Sequence, residues 1–245
     1  MQALIDQDLL CYRCAASAEN DDLGIAIYRI DELLDNILTK TGATSYRAFL
    51  TGPNNFRKQI YPEYKANRTQ PKPRHLEDLR VYSLEKLNAE IAPANLEADD
   101  ALAINQTEET IICSLDKDLL QVPGRHFSWE INGKGWSKPD TFIDQTELEG
   151  LRLFYKQCIK GDPSDNVKGI PGIGANVFGS TDLLGRRDNR ADKLLDKCNT
   201  DEEMFKAVRK AYDNDAEFIM NASVLWILRS LDDKWEDRFY AYIQE

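Results

Sequence analysis

The stretch TIICSLDKD, residues 110–118, decides our interpretation of the fold. Its first six residues are β-prone or small and carry no charge, which is typical of a strand buried on both faces of a parallel sheet. The run ends in Asp116 and Asp118, two acids separated by one residue. Because sites of open α/β sheets lie at the carboxyl ends of the strands, these acids fall where chemistry is usually placed. Taken alone, the stretch favours the simpler interpretation of a solvated turn after a strand, and the rest of the chain changes that preference.

The composition is that of an ordinary globular chain of 245 residues, long enough for one large or two small domains. No apolar run could span a bilayer and no basic-then-apolar leader is present, so we expect a soluble cytoplasmic protein without membrane partners. Cys11 and Cys14, the only close pair among five cysteines, are expected to be core thiols rather than a redox or zinc pair. The net charge of −11 argues against nucleic-acid binding, but net charge does not describe local sites.

The hydrophobic pattern predicts strands alternating with helices in the first part of the chain and mostly helices after about residue 147. The predicted strands are 3–5, 46–50 and 110–115, with a hairpin over 126–136 that turns at Asn132-Gly133. The predicted helices are 9–18, 25–39 with Gly42 as its C-cap, 76–90, one that opens at the acids after Leu96, 147–160, 202–212 and 215–231.

The segment Asn54–Arg74 differs from its surroundings. It holds six basic residues against one acid, with aromatic residues between them and three prolines that keep the backbone irregular. A solvated basic loop is one interpretation. Interleaved aromatic and basic side chains favour the other, in which the segment faces phosphates and bases.

The acids form an ordered set of candidate metal ligands. Its members are Asp6; Glu97, Asp99 and Asp100; Asp116 and Asp118; and Asp162 and Asp165. Acids that open a helix also favour its dipole, which is the simpler interpretation of residues 97–100. Ligand sets made only of oxygen suit Mg²⁺ or Mn²⁺, and two such ions about 3.5–4 Å apart can clamp the oxygens of a phosphodiester.

Six ordered motifs resemble the flap endonuclease and 5′-to-3′ exonuclease family, in particular its bacteriophage branch. They are IDQD at 5–8, FRK at 56–58 with YKANR at 64–68, EADD at 97–100, SLDKD at 114–118, KGDPSDN at 160–166 and GIPGIG at 169–174. The resemblance implies an α/β fold with a PIN-like (resolvase-like), mostly parallel sheet, flanking helices and a helical arch. The implied domains are a nuclease core over 1–146, with the arch at about 54–92, and a helical helix-hairpin-helix-like region over 147–245.

The resemblance also implies roles for individual residues. One metal ion is implied for Asp6, Glu97, Asp99 and Asp116, and a second for Asp118, Asp162 and Asp165, with Asp100 close by. Lys65 and Arg68 match a catalytic basic pair that contacts the scissile phosphate, and Tyr12 matches an aromatic residue that stacks on a terminal base. The implied DNA-binding residues are Tyr12, Arg13, Arg57, Lys58, Lys65, Arg68, Gly169, Gly172 and Gly174, the glycines forming a duplex-phosphate site that often holds K⁺.

Three departures from the family pattern affect these expectations. Gly52 stands where relatives usually have an acid, so water, Asn54 or Asn55 must replace one ligand of the first metal. Residues 175–177 lack the lysine that relatives often have, and 179–190 is polar and interrupted by glycine where relatives have a regular helix. The first departure concerns metal affinity or rate, and the others concern the grip on duplex DNA.

We therefore expect a metal-dependent hydrolase that removes nucleotides from 5′ ends or flaps by in-line attack without a covalent intermediate. A DNA-binding protein of the same fold with weakened catalysis is the alternative that Gly52 suggests. A nuclease for RNA in RNA–DNA hybrids is a second alternative, and an acidic scaffold a third. The residues leave open the preference for exonuclease or endonuclease cleavage, the oligomeric state and any partnership with replication proteins.

Overall fold

The computed structural model describes residues 1–133, 135–173 and 190–244. Contacts divide the chain into two compact units. The sheet unit comprises 1–55, 70–145 and 228–230, and the helical unit comprises 56–69, 146–227 and 231–245. The segment 54–92 is thus shared between the two units, and the predicted domain division at 146/147 stays a prediction.

The strands and helices follow the chain in a mixed order. The strands are β1 (Gln2–Asp6), β2 (Ser45–Leu50), β3 (Glu90–Ile91), β4 (Thr110–Cys113), β5 (Gly124–Ser128), β6 (Ile131–Gly133), β7 (Trp136–Lys138), β8 (Thr141–Gln145), β9 (Gly161–Asp162) and β10 (Val167–Lys168). The helices are α1 (Gln7–Ser17), α2 (Leu23–Thr41), α3 (Phe56–Ile60), α4 (Leu76–Lys86), α5 (Ala98–Ile104), α6 (Glu147–Lys160), α7 (Arg190–Leu195), α8 (Asp201–Ala211), α9 (Asp215–Leu225) and α10 (Trp235–Gln244), with a 3₁₀ helix at Lys117–Gln121.

A six-stranded sheet in the order β3-β2-β1-β4-β5-β8 forms the centre of the sheet unit. All neighbours pair in parallel except β5 and β8, which are antiparallel. Strand β4 is buried along its whole length, as an uncharged strand covered on both faces must be. These findings confirm the predicted α/β class with a mostly parallel central sheet. The carboxyl ends of β1, β2 and β4 therefore lie along one edge, where their following residues meet.

Helices α1, α2 and α4 cover one face of this sheet. Their apolar residues pack with alternate strand residues such as Ala3 and Ile5 in one buried cluster that also contains Cys11 and Cys14. All five cysteines are buried and free, in agreement with the expected core thiols. Helix α2 ends at Gly42 in a left-handed conformation with φ 65°, which confirms the predicted C-cap. Among the described residues, no helix combines the length and apolar character needed to cross a membrane.

A hairpin is present, but it is formed by β6 and β7 over 131–138 rather than over 126–136, and its turn does not fall at Asn132-Gly133. Asn132 and Gly133 lie inside strand β6, and Gly133 pairs with Trp136 of β7. The Asn-Gly signal therefore misplaced the turn, because both residues take part in strand pairing.

The helical unit is built around aromatic side chains. The buried ring of Trp235 contacts the buried rings of Phe154, Phe205 and Phe218, and Phe205 also contacts Phe218. Helix α9 ends at Leu225 rather than at 231, so the predicted length of this helix is wrong. Helices α3, α7 and α10 were not predicted.

Candidate functional site

Two of the predicted metal ligands meet at the carboxyl ends of β1 and β4. The hydroxyl of Ser114, the first residue after β4, donates to Asp6 Oδ2 at 2.7 Å. The Ser114 Oγ also accepts a hydrogen bond from the main-chain N–H of Asp116 at 2.9 Å. Ser114 thus joins Asp6, at the end of β1, to the turn that carries Asp116, a connection that sequence motifs alone did not indicate.

Asp6 is a buried carboxylate among other acids. Burial raises the pKa of Asp6 to about 7, and the nearby carboxylates of Asp8 and Asp116 add to the rise. The hydrogen bonds from Ser114 and from Leu9 N–H, at 3.0 Å, oppose it. The ionised form of Asp6 is therefore held in an environment that a bound cation would stabilise.

Asp116 and Asp118 occupy a short turn of 3₁₀ helix. Asp116 Oδ1 accepts the N–H of Asp118 at 2.9 Å, so Asp116 caps this turn. Asp116 is exposed and Asp118 is half-buried. The two acids therefore begin this turn, and Asp116 is also close enough to Asp6 to add to the rise of its pKa.

The EADD motif opens helix α5, with Glu97 buried and Asp99 half-buried. Asp100 is fully buried, and its two oxygens accept the main-chain N–H groups of Glu97 at 3.0 Å and Leu228 at 3.1 Å. Both carboxylate oxygens of Asp100 thus accept main-chain N–H groups, and its predicted place among the metal-site acids stays a prediction. We assign Asp100 to holding the start of α5, so the capping interpretation applies to this acid.

Thr51, directly after β2, connects three elements of the sheet unit. Its N–H donates to Asp8 Oδ2 at 2.8 Å, and its carbonyl accepts Arg80 Nη2 at 2.7 Å. Its hydroxyl accepts the N–H of Ala98, at the start of α5, at 2.9 Å. Arg80 also pairs with Asp8. The sequence motifs do not include Arg80, and the IDQD motif includes Asp8 without indicating a role for it.

A side chain at Gly52 would meet the edge strand β3 and would need Ile91 to shift slightly. A Cβ there would lie 3.2 Å from Ile91 Cγ2, on the edge strand β3. The backbone of Gly52 is not left-handed, since the glycines with positive φ are others. Because β3 and β1 flank β2 on opposite sides, this contact argues against Gly52 as the position of the missing acid.

The fit to a metal ion depends on the chemistry of the donors. Among the residues that the structure describes, no group of three or more His, Cys, Asp or Glu side chains is placed so that it could hold an ion. The acids at the ends of β1 and β4 and at the start of α5 nevertheless offer only oxygen, the donor that Mg²⁺ and Mn²⁺ prefer. Burial of Asp6 among like charges is the second observation that fits a cation here.

In the helical unit, the YKANR motif lies against the turn 163–166. Lys65 N–H donates to Asp165 O at 2.9 Å, and Arg68 Nη2 lies 2.7 Å from Asp165 Oδ1. Tyr64 is only 2% exposed, and its hydroxyl donates to Asp165 Oδ2 at 2.7 Å. Tyr64 therefore holds Asp165, which does not fit an aromatic side chain that faces bases.

Asp162 and Asp165 stabilise this turn through hydrogen bonds and ion pairs. Asp162 Oδ1 accepts the N–H of Ser164 at 2.7 Å and its hydroxyl at 2.6 Å, which closes the turn. Asp165 binds Arg68 directly, and Lys65 Nζ lies 3.8 Å from Asp165 Oδ2. The predicted role of Asp162 and Asp165 at a second metal stays a prediction.

The predicted DNA-binding residues differ in exposure. Tyr12 and Lys58 are exposed and Arg13 is half-buried. Arg57 is 2% exposed, and its guanidinium donates to Val224 O at 2.9 Å and Trp226 O at 2.7 Å. This placement does not fit the predicted DNA contact of Arg57, because its charge is used to hold the end of α9.

Two of the predicted hairpin glycines serve different purposes. Gly169 packs against Gly161, and a Cβ on Gly169 would lie 2.3 Å from Gly161 N, so this glycine allows close backbone approach. Gly172 is exposed, has φ 76° and open space around it, and its predicted contact with duplex DNA stays a prediction. Gly174, residues 175–177 and most of the polar segment 179–190 lie outside the described residues.

An α/β sheet with carboxylates at its strand ends is the arrangement of a resolvase-like domain, and comparison with known proteins identifies which kind. Residues 2–148 match the 5′-3′ exonuclease N-terminal resolvase-like domain. The chain belongs to this 5′-3′ exonuclease family. It is 32% identical over 231 residues to DNA polymerase I of Bacillus caldotenax, an alignment that covers 82% of this chain and 26% of the polymerase. The chain thus spans about a quarter of the length of this relative.

Solved structures from bacteriophage T5 share the fold. The T5 D15 protein co-crystallised with metal ions superposes with a TM-score of 0.65 at 14% identity, covering 91% of this chain and 88% of that chain. The T5 D15 flap endonuclease in a pseudo-enzyme–product complex with DNA and metal ions gives a TM-score of 0.54 at 14% identity, covering 99% and 98%. At this identity the likeness shows the fold alone, and it confirms the expected resolvase-like architecture.

Proposed function

We propose that this chain is a metal-dependent 5′-to-3′ exonuclease and 5′-flap endonuclease that hydrolyses phosphodiester bonds in DNA. The observation that carries the proposal is the buried Asp6 carboxylate at the end of β1, joined through Ser114 to Asp116 at the end of β4. Membership of the 5′-3′ exonuclease family supports the reaction, and the T5 flap endonuclease complex with DNA and metal ions supports the substrate class and the cofactor.

Mg²⁺ or Mn²⁺ is the proposed cofactor, with two ions used in the reaction. Asp6, Glu97, Asp99 and Asp116 are the proposed ligands of the first ion, and Asp118 is the proposed ligand of the second. The ions would activate the nucleophile and stabilise charge on the phosphate. The second-ion roles of Asp162 and Asp165, and K⁺ at the glycine hairpin, stay predictions of the family resemblance.

The residues of the chain have separate tasks in this proposal. Ser114 holds Asp6 in one rotamer and fixes the turn that carries Asp116, so both carboxylates are preorganised for a cation. Asp165 orients the guanidinium of Arg68, whose exposed side chain is the proposed contact with the phosphate. Lys65, held by its main-chain bond to Asp165, is the proposed second cationic contact.

The substrate preference is part of the proposal. DNA with 5′ ends, nicks or flaps is the proposed substrate, and RNA in RNA–DNA hybrids is included because a metal-clamped phosphodiester has the same chemistry in both strands. We place the activity in the cytoplasm, which for a phage protein is the host cytoplasm. The five free cysteines support this placement, because disulfides are rare in that compartment.

One experiment tests the proposal directly. Labelled 5′-flap, nicked, blunt and RNA–DNA hybrid substrates are each incubated with the protein in magnesium, in manganese and in excess chelator. The expected result is release of short products from 5′ ends or flaps in either metal, and none with chelator. Structure-specific binding without cleavage in any metal would instead identify the non-catalytic alternative. Full cleavage in chelator would contradict the metal requirement.

A further inference from the structure

Asp8 connects Thr51, at the carboxyl end of β2, to Arg80. The proposed function gives these contacts no role. Asp8 lies in the first turn of α1, the helix whose N-terminus Asp6 caps. One carboxylate oxygen of Asp8 accepts the N–H of Thr51 at 2.8 Å, and the other pairs with Arg80. Arg80 also donates to the carbonyl of Thr51 at 2.7 Å. The three residues therefore close a ring of contacts in which both main-chain groups of Thr51 are bound.

This ring is more than an exposed surface ion pair. The side chains of Arg80 and Asp8 are 24% and 29% exposed, and Arg80 uses its planar group on two acceptors at once. A guanidinium that binds a carboxylate and a carbonyl together fixes the direction of both, whereas an exposed pair contributes little.

The ring joins two elements that carry proposed metal ligands. On one side, Asp8 belongs to the helix capped by Asp6. On the other, the hydroxyl of Thr51 accepts the N–H of Ala98 at 2.9 Å, next to Glu97. A displacement of Thr51 would therefore change the position of α1 relative to the start of α5, and with it the separation of Asp6 and Glu97.

We propose that Asp8, held by Arg80, is a positioning residue that sets the distance between Asp6 and Glu97 and thereby the affinity of the site for a divalent cation. This inference rests on the proposed function. Its chemistry is that of outer residues around a metal, whose hydrogen bonds orient the ligands without touching the ion.

A purely electrostatic effect would make the loss of Asp8 and the loss of Arg80 change the metal affinity in opposite directions. The direction of each change therefore tests the inference. If Asp8 acted only through its charge, its loss would weaken cation binding and the loss of positive Arg80 would strengthen it. If the two residues position the ligands, the loss of either weakens binding. The double variant should then bind the metal about as tightly as the more weakly binding single variant, because both residues belong to one network.

The test is calorimetric titration of Mn²⁺ and Mg²⁺ into the full chain without DNA. The variants are Asp8→Asn, Arg80→Gln and the double variant. Arg47→Gln serves as the matched control, because Arg47 pairs with Glu90 at 2.7 Å on the same sheet and takes no part in the ring. The expected result is a roughly 10–100-fold weaker metal affinity for both single variants, a similar value for the double variant, and no change for the control.

Further variants guard against a failure to fold. Thr51→Val keeps the main-chain contacts but removes the hydroxyl that accepts the N–H of Ala98, so it should weaken metal binding. Thr51→Ser retains a hydroxyl and should bind the metal as the wild type does. Tighter binding by Arg80→Gln would overturn the inference in favour of simple electrostatics. Unchanged affinity in all variants, with only a lower melting temperature, would reduce the ring to a structural role.

The titration separates this inference from the proposed function. Metal binding that follows the expected pattern, together with no cleavage of any substrate, would refute the nuclease proposal and leave the inference standing. Cleavage with metal affinities that do not respond to Asp8 or Arg80 would do the reverse. Absence of metal binding by the wild-type chain would overturn both.

Discussion

Arg68 Nη2 lies 2.7 Å from Asp165 Oδ1, so this proposed phosphate-binding cation is already paired with a carboxylate. Arg68 is nevertheless 56% exposed, against 16% for Asp165, which leaves much of the guanidinium accessible. Asp165 is also bound by the Tyr64 hydroxyl. The carboxylate thus directs the guanidinium, and the remaining donors of Arg68 can meet a phosphate.

We predict that Lys65→Ala and Arg68→Ala slow cleavage more than they weaken DNA binding. Cations that stabilise the charge developing on the phosphate act in the transition state, so their loss lowers the rate of the chemical step, by roughly 10²–10³-fold each. Single-turnover cleavage of one flap substrate at saturating protein measures this rate, and a binding titration in Ca²⁺ measures the affinity.

Lys58→Ala is the matched control for the basic pair. Lys58 is an exposed cation of α3 in the same unit, and its removal should change affinity slightly and the single-turnover rate little. If Lys65→Ala and Arg68→Ala behaved like Lys58→Ala, the pair would only attract the DNA backbone.

We predict that Asp116→Asn nearly abolishes cleavage, by at least about 100-fold, while the fold is retained. The asparagine oxygen can still accept the N–H of Asp118 and cap the turn, so the substitution removes charge rather than structure. DNA binding should survive or improve, because one carboxylate fewer repels phosphate. The measurements are cleavage rate in magnesium, DNA affinity and circular dichroism.

Asp144→Asn is the corresponding control, since Asp144 is an exposed acid of β8 in the same unit. It should cleave at the wild-type rate. Substantial cleavage by Asp116→Asn would remove this residue from the proposed ligands.

The three central strands β1, β2 and β4 and the positions of Asp6 and Asp116 at strand ends could be predicted because both depend on local pattern. An uncharged run such as Thr110–Cys113 can be satisfied only inside a sheet, and an acid directly after such a strand must lie at its carboxyl end. Asp6 and Asp116 were therefore placed beside each other from two short segments, and Ser114 shows how they are connected.

Residues that act through distant partners could not be predicted in this way. Arg57 and Tyr64 look like DNA-facing residues in a basic segment, but both are buried. Each forms a hydrogen bond with a residue about a hundred or more positions away. Asp8 and Arg80 are 72 positions apart, so no spacing rule relates them. Side chains of this kind receive their roles from tertiary contacts, which a local motif does not contain.

We predict that Gly172→Ala weakens duplex DNA binding and leaves the binding of a short single strand little changed. Gly172 adopts φ 76°, which a residue with a Cβ adopts at a cost of roughly 1–2 kcal/mol, so the exposed turn should change its direction. Gly42→Ala is a control for strain alone, because Gly42 has φ 65° and equally open surroundings at the end of α2. Equal loss of binding by both variants would indicate general destabilisation.

We predict that acidification destabilises the protein partly through His126. Burial lowers the pKa of His126, whose ring lies 2.7 Å from the carbonyl of Val122. Below pH 6.5 the unfolded chain therefore binds a proton more readily than the folded chain, so stability is present above that pH and is lost as the pH falls. Melting temperatures of wild type and His126→Gln between pH 8 and pH 5 measure the effect. The wild-type curve should fall more steeply, and parallel curves would contradict the prediction.

We predict that Gly52→Asp leaves the magnesium requirement of cleavage unchanged. The family pattern suggests that Gly52 replaces an acid, in which case restoring the acid should lower the magnesium concentration for half-maximal rate. The structure argues otherwise, because a Cβ at residue 52 starts 3.2 Å from Ile91 Cγ2 on edge strand β3, whereas Asp6 ends β1 on the other side of β2. Ile91 is exposed and can shift, and the backbone is not left-handed, so the variant should fold. A magnesium titration of wild type and Gly52→Asp on one flap substrate decides the matter. A clear shift of the variant to lower magnesium would show that residue 52 faces the site and that the alignment with the family acid is correct.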